Sequence, residues 1–189
     1  MPVPVLLLIG PSGTGKTAAV TELVRRDLLA VTPTWTTRPR RPDEMAGCAN
    51  HRFVSDEEFS AREADGFFLG TVQLFGLEHR YGLPRPEPAE GRRVPTVVAR
   101  AGVVPVIAAH LPEHVVWQVE APAHRLAAVM KARRATTAEI DARLRGVTAE
   151  VEAGRALADR VFVNDGHLRD LVDDMARALL VVPRVGAAA

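Results

Sequence analysis

Apolar positions along the chain follow two rhythms, separated by a stretch that follows neither. Val3 to Ile9 is an unbroken apolar run ending in glycine, which predicts a parallel strand buried on both faces. From Lys16 onward, Val20, Leu23, Val24 and Leu28 recur at helical spacing, and Thr32-Pro33 stops the pattern. Between about Thr34 and Arg93 the rhythm breaks. Short strand-like pieces such as Arg52-Phe53-Val54 and Phe67-Phe68-Leu69 stand there among Arg, Pro and Gly, and Ser55 with Glu58 reads as a capping box. Buried strands are predicted again at Val94 to Ala99 and Val115 to Val119, with a helix at Ala123 to Lys131. A second capping box, Thr136 with Glu139, opens a helix running to about Leu157. Val161 to Val163 is a last strand, ending in Asn164-Asp165-Gly166, and Leu168, Leu171, Val172, Met175 and Leu179 form one face of a closing helix. Strands alternating with helices imply an α/β fold with a parallel sheet flanked by helices.

Composition narrows the class. A chain of 189 residues with 47% apolar and 25% charged residues fits one soluble domain. A net charge of +1 excludes a generally basic nucleic-acid binder. The run at Val5 to Ile9 is too short to span a membrane and lacks the cationic flank of a signal peptide. A single cysteine, Cys48, excludes an intrachain disulfide and a cysteine-based zinc cluster. The expectation is a cytoplasmic protein without nucleic-acid or membrane partners, monomeric or homodimeric. Of 24 basic residues only Lys16 and Lys131 are lysines, so a lysine at position 16 asks for a reason.

Gly10-Pro11-Ser12-Gly13-Thr14-Gly15-Lys16-Thr17 supplies one. It fits G-x-x-x-x-G-K-[ST] and lies between a strand and a helix, where backbone N–H groups and the helix N-terminus cradle a phosphate chain. Lys16 then reaches the β- and γ-phosphates of ATP, and the Thr17 hydroxyl serves Mg²⁺. A second anion site is expected at Thr36-Thr37-Arg38-Pro39-Arg40-Arg41, because guanidinium forks match phosphate oxygens bidentately. Arg125, Lys131, Arg133, Arg134, Arg143 and Arg145 flank the Thr136 cap, as a basic lid over a transferring phosphoryl requires, with Arg134 and Arg143 the preferred pair. His51, His79 and Tyr81 are candidates for the acceptor cleft, with Arg80 beside them.

These motifs together resemble the guanylate-kinase-like P-loop kinases. The resemblance runs through Gly10 to Thr17, Thr36-Thr37-Arg38 with Arg41 and Glu44, Phe53 to Phe59, Tyr81-Gly82 and Val163-Asn164-Asp165. It implies a P-loop kinase core at 1–33 and 94–189, an acceptor-binding subdomain at about 34–93 and a lid at about 131–145. Arg38 and Arg41, with Thr37, His51 and Tyr81, would serve the acceptor, and Asn164 would join the ATP site. The chain departs from guanylate kinases proper in three places. Gly70 stands where they carry a guanine-reading glutamate, Val97-Val98-Ala99 replaces their Asp-x-Asp, and His51 replaces a tyrosine. Ala46-Gly47, Asn50-His51, Gly76-Leu77, Glu139-Ile140 and Asn164-Asp165-Gly166 instead resemble the ribose 1,5-bisphosphate phosphokinases of the same superfamily. The implied activity is transfer of the γ-phosphoryl of ATP, with Mg²⁺, to a phosphate of a small phosphorylated acceptor, either a sugar phosphate of the ribose 1,5-bisphosphate type or a nucleoside monophosphate such as GMP. Guanylate kinase proper is the alternative acceptor reading, and a catalytically inactive nucleotide-binding module is the alternative from another class.

Overall fold

The computed structural model describes residues 4–40, 50–73, 79–87, 89, 91, 93–132 and 137–182. Five parallel strands, β1 (Val5–Ile9), β2 (Leu29–Val31), β7 (Val94–Val98), β8 (His114–Glu120) and β9 (Arg160–Val163), form one sheet in the order β2-β7-β1-β8-β9. Helices α1 (Lys16–Arg25), α3 (Val104–Ala108), α4 (Ala123–Ala132), α5 (Thr137–Arg155) and α6 (Leu168–Leu179) connect and follow these strands. The apolar run of β1 is continuous because both of its faces are covered. Leu6 and Leu8 pack with Ala19, Val20 and Leu23 of α1 and with Val172, Met175 and Leu179 of α6. On the opposite face, Leu7 and Ile9 pack with Val97, Val104 and Ile107.

A second sheet, in the order β4-β3-β6-β5, is built within the irregular stretch from β3 (Thr34–Thr36), β4 (His51–Phe53), β5 (Phe68–Gln73) and β6 (Arg80–Pro84). Helix α2 (Asp56–Ala64) follows β4, and the Ser55 hydroxyl caps it by accepting from the Glu58 N–H at 3.2 Å. On this side of the sheet the Trp35 ring meets Phe67 and Phe68 edge-on, and Phe68 stacks on Phe59 of α2 with centroids 4.8 Å apart. Leu83 of β6 enters the same apolar cluster as Leu7 and Ile9, which joins the two sheets.

Two sequence expectations are corrected. The first helix does not run to Thr32; it ends at Arg25, where Asp27 takes a left-handed conformation (φ 57°) and turns the chain into edge strand β2. Leu29 is buried in that strand, so its apolar character served the sheet and mimicked the helical rhythm. The five-residue α3, preceded by a 3-10 turn at Ala101–Val103, was not expected, being too short to show a period. The expected Thr136 cap lies outside the described residues. Among the described residues no helix is long and apolar enough to cross a membrane.

Candidate active site

The loop from Gly10 to Gly15 leaves the carboxyl end of β1 and enters α1 at Lys16. Its path demands glycine at two points for different reasons. At Gly10 (φ 134°) a Cβ would stand 2.1 Å from the Val119 carbonyl oxygen of the neighbouring strand. At Gly15 (φ 94°), the residue before α1, it would stand 2.5 Å from the Asn164 side-chain amide. Between them Thr14 is fully buried, its hydroxyl donating to the Pro11 carbonyl at 3.1 Å. The Asn164 amide in turn donates to the Thr14 carbonyl at 2.9 Å, and its Oδ1 accepts from Arg125 at 3.2 Å. Arg125 also reaches the carbonyls of Asn164 and Gly166. Arg125 thus ties α4 to the β9–α6 turn, and Asn164 ties that turn to the phosphate loop. Asn164 sits beside the loop, with both ends of its amide engaged in shaping it.

Lys16 lies at the focus. Its ammonium donates to the Gly10 carbonyl at 2.5 Å and the Pro11 carbonyl at 2.6 Å, with the Thr14 hydroxyl at 3.4 Å. Burial of the ammonium pushes its pKa down from 10.5 to about 7; Glu150 of α5 opposes the shift and Arg100, just past β7, adds to it. The whole residue is only partly buried, but the nitrogen that carries the charge is the enclosed part. A phosphate chain bound in the loop would hold this cation in its charged form.

Thr17 is exposed at the first turn of α1, and its hydroxyl accepts from the Asn50 amide at 3.2 Å. Asn50 is buried immediately before β4, so this bond ties the second sheet to the phosphate loop. The resemblance flagged Asn50 without giving it a role. Among the described residues no group of three or more His, Cys, Asp or Glu is placed to hold a metal ion. One threonine hydroxyl at a phosphate loop fits Mg²⁺ brought in on nucleotide phosphates, because that ion keeps most of its water and phosphate ligands.

The register of the second sheet sorts the acceptor candidates. Thr34 faces His51, Thr36 faces Phe53 across one side and Tyr81 across the other, and Tyr81 faces Val72. Strand alternation puts His51, Phe53, Thr36 and Tyr81 on the side opposite Trp35 and α2. On that side Arg38 and Arg40 each place a guanidinium 5.1 Å from the centre of the Phe53 ring. The Thr37 hydroxyl accepts from the Arg80 backbone N–H at 3.1 Å, which fixes the start of the arginine loop to β6. Arg80 itself points to the other side. It pairs with Asp56 and Glu63, donates to Ser60 and stacks over Phe59 at 4.5 Å, so it is committed to α2 and unavailable to an acceptor. Arg41 and Arg134 lie outside the described residues, and Arg143 falls within α5.

Gly70 has a steric explanation. A Cβ there would stand 2.9 Å from Cγ1 of Val106 on α3, so the core helix occupies the place a side chain from β5 would need. A side chain at position 70 therefore requires Val106 to shift.

Sequence reasoning also missed the anchor behind α5. Glu120, buried at the end of β8, takes a bidentate bond from Arg155 at 2.7 and 2.6 Å and one from Gln118 at 2.7 Å. The Arg155 hydrogen bonds hold the Glu120 carboxyl below its ordinary range, against the effect of burial. Gly154 is required beside it, since a Cβ would stand 1.6 Å from the Gln118 side-chain oxygen. These residues belong to different elements, and only the fold brings them together.

No family model matches the chain. It is 36% identical to a guanylate kinase of Bifidobacterium longum over 85% of each chain, and 36% identical to a ribose 1,5-bisphosphate phosphokinase of Acidiphilium cryptum over 82% of each. A crystal structure of guanylate kinase from Anaplasma phagocytophilum, 21% identical, superposes with a TM-score of 0.68 over 97% of this chain and 88% of that one. Alignments to other curated guanylate kinases are more local; the first covers 41% of the relative's length. The chain belongs to the guanylate-kinase-like family of P-loop kinases.

Proposed function

We propose that the protein transfers the γ-phosphoryl of ATP to a phosphate of a small phosphorylated acceptor. The phosphate loop carries this reading: a buried ammonium, three left-handed glycines and a helix N-terminus converge where a triphosphate chain would lie. Facing it through the Asn50–Thr17 bond is a sheet surface bearing Arg38, His51 and Tyr81, which suits the acceptor. In the proposed in-line transfer, backbone N–H groups and Lys16 hold the donor phosphates, Arg38 with Arg41 aligns the acceptor phosphate, and Arg134 and Arg143 neutralise charge from the lid. Mg²⁺ bound with the nucleotide and served by Thr17 adds charge neutralisation. The attacking phosphate oxygen is already anionic, so positioning and electrostatics carry the rate without a general base.

For the acceptor we favour a sugar phosphate of the ribose 1,5-bisphosphate type. Val106 fills the space beside Gly70 from which a guanine edge would be read, and a base without acceptors for its N–H donors would be bound at a cost. The similarity to ribose 1,5-bisphosphate phosphokinases supports the same choice. GMP is the second reading, supported by Thr36-Thr37-Arg38 and by the guanylate kinase relative. Values of kcat/KM for GMP, dGMP and ribose 1,5-bisphosphate, measured side by side through ADP release, decide between them. Preference for the sugar by about 10²-fold or more is expected; efficient GMP phosphorylation would overturn the choice. Arg38→Ala is expected to lower kcat/KM for the acceptor by about 10²-fold or more while ATP affinity stays within about threefold.

A further inference from the structure

Thr17 and Thr21 stand one turn apart on α1, both exposed, yet their hydroxyls are held differently. Thr21 turns back along the helix and donates to the Thr17 carbonyl at 2.8 Å. A helical threonine divides its time between two rotamers because its hydroxyl can bond the carbonyl one turn back. The Thr17 hydroxyl is met from outside the helix, by the Asn50 side-chain amide at 3.2 Å. Water is an equal partner for an exposed hydroxyl, so this bond adds little stability to Thr17. What it supplies is direction.

Asn50 can give direction because the second sheet fixes it. It is 3% exposed, immediately ahead of β4, and its carbonyl accepts from the Thr34 N–H at 3.0 Å at the start of β3. Main chain and side chain of one residue thus join the second sheet to the first turn of α1. A hydroxyl carries one proton and two lone pairs. With the Asn50 N–H on one lone pair, Thr17 keeps the other for a cation and its proton for a phosphate oxygen. Mg²⁺ demands near-ideal octahedral geometry, so a ligand oxygen that turns freely holds it poorly.

Building on the kinase reading, we propose that Asn50 is a positioning residue for the donor site: it sets the Thr17 hydroxyl for Mg²⁺ arriving on the nucleotide phosphates. It does so from the sheet proposed for the acceptor, with the acceptor candidate His51 as its neighbour in sequence. A residue so placed would be grouped with the acceptor site by its position in the chain. Its hydrogen bond groups it with the metal. Removing a group that orients a metal ligand typically costs about 10–100-fold in metal affinity or activity.

The test separates metal from nucleotide. ADP binding to Asn50→Ala and Asn50→Ser is measured by calorimetry in Mg²⁺ and in EDTA. Both variants should bind metal-free ADP within about threefold of the parent and lose most of the affinity that Mg²⁺ adds to it. Turnover is measured with whichever of GMP and ribose 1,5-bisphosphate reacts faster. Half-maximal rate should need about tenfold more Mg²⁺, while the acceptor KM at saturating Mg²⁺ stays within about threefold. Thr17→Val removes the hydroxyl and keeps the side-chain shape, and in that background Asn50→Ala should change the Mg²⁺ dependence no further. Equal gain from Mg²⁺ in parent and variants, additive effects of the two positions, or a shift confined to the acceptor KM overturns the proposal. So does loss of metal-free ADP binding in both Asn50 variants, because Asn50 would then support the loop itself. Failure of the kinase reading looks different: the parent would itself gain nothing from Mg²⁺ and release no ADP with either acceptor.

Discussion

Every residue of β1 is buried, and the side chains clustered on its two faces are mostly aliphatic, with Trp117 and Phe162 among them on one face. In the second sheet only Trp35 and Thr36 of β3 and Gly82 to Pro84 of β6 are buried, β4 and β5 are half-covered, and guanidinium groups lie over the rings. The parallel sheet therefore rests on burial of apolar area, which has no direction and comes from many residues. The acceptor sheet rests on the fit of a few rings and on arginines held against them. The glycine-rich loop sits on the first kind of support, and the surface proposed for the acceptor sits on the second.

The largest effect that separates the two regions is expected at Lys16. Lys16→Met should lower turnover by about 10³-fold or more, read by coupled ADP release, because it removes the charge on the donor phosphates. The same substitution should raise the melting temperature of the nucleotide-free protein by a few degrees, since it takes a buried ammonium out of the fold. The sign follows from the depressed pKa. Below about pH 7 the folded protein bears the whole cost of the buried charge, and above 10.5 both states are neutral and the cost is gone. The gain from Lys16→Met should thus be full near pH 6.5 and fade toward pH 10.5 in thermal unfolding; a gain that grows with pH would contradict the burial argument.

Next in size are paired truncations, one from each sheet. Leu8→Ala, from the core that carries the phosphate loop, is expected to cost about 2–5 kcal/mol and to weaken ADP binding along with everything else. Trp35→Ala should cost about 3–5 kcal/mol, measured by urea unfolding, and should cut acceptor kcat/KM far more than ADP affinity. Equal loss of donor and acceptor binding in both variants would erase the distinction between the sheets. A smaller cost, about 1–3 kcal/mol, is expected for Gly82→Ala. Its Cβ would stand 2.8 Å from two atoms of the Phe68 ring, which Phe59 holds from the other side.

The same contrast explains what could be read from the sequence. Val5 to Ile9, the glycine-rich loop and Lys16 are local patterns with a fixed meaning, so the parallel sheet and the strand–loop–helix turn at its carboxyl edge followed from spacing. Strand β2 was misread because Leu28 and Leu29 continue a helical rhythm that Asp27 breaks with one left-handed residue. In the second sheet, sequence grouped Arg38 and Arg80 as candidates for the acceptor, yet only strand register put them on opposite sides of the sheet. Glu150 and Arg100 lie fifty positions apart, Gly70 and Val106 thirty-six, and no local pattern links either pair. Pairings of that kind are written in the packing, and single positions do not announce them.

Arg52 offers the finest test of how the acceptor sheet is held. Its guanidinium lies 4.1 Å from the Trp35 ring centre, and its carboxylate partner among the described residues, Glu58, stands 3.5 Å away with both side chains largely exposed. An exposed ion pair of that length contributes little, so the stacking should dominate. Arg52→Lys keeps the charge for Glu58 but loses the flat guanidinium, whereas Glu58→Gln removes the ion pair and leaves the stack. If the ring contact matters, Arg52→Lys should cost about 0.5–1 kcal/mol in urea unfolding, with Trp35 fluorescence shifted, and Glu58→Gln should cost less. The order would reverse if the sheet were held by its surface charges, and the distinction drawn between the two sheets would then rest on Trp35 and its phenylalanine neighbours alone.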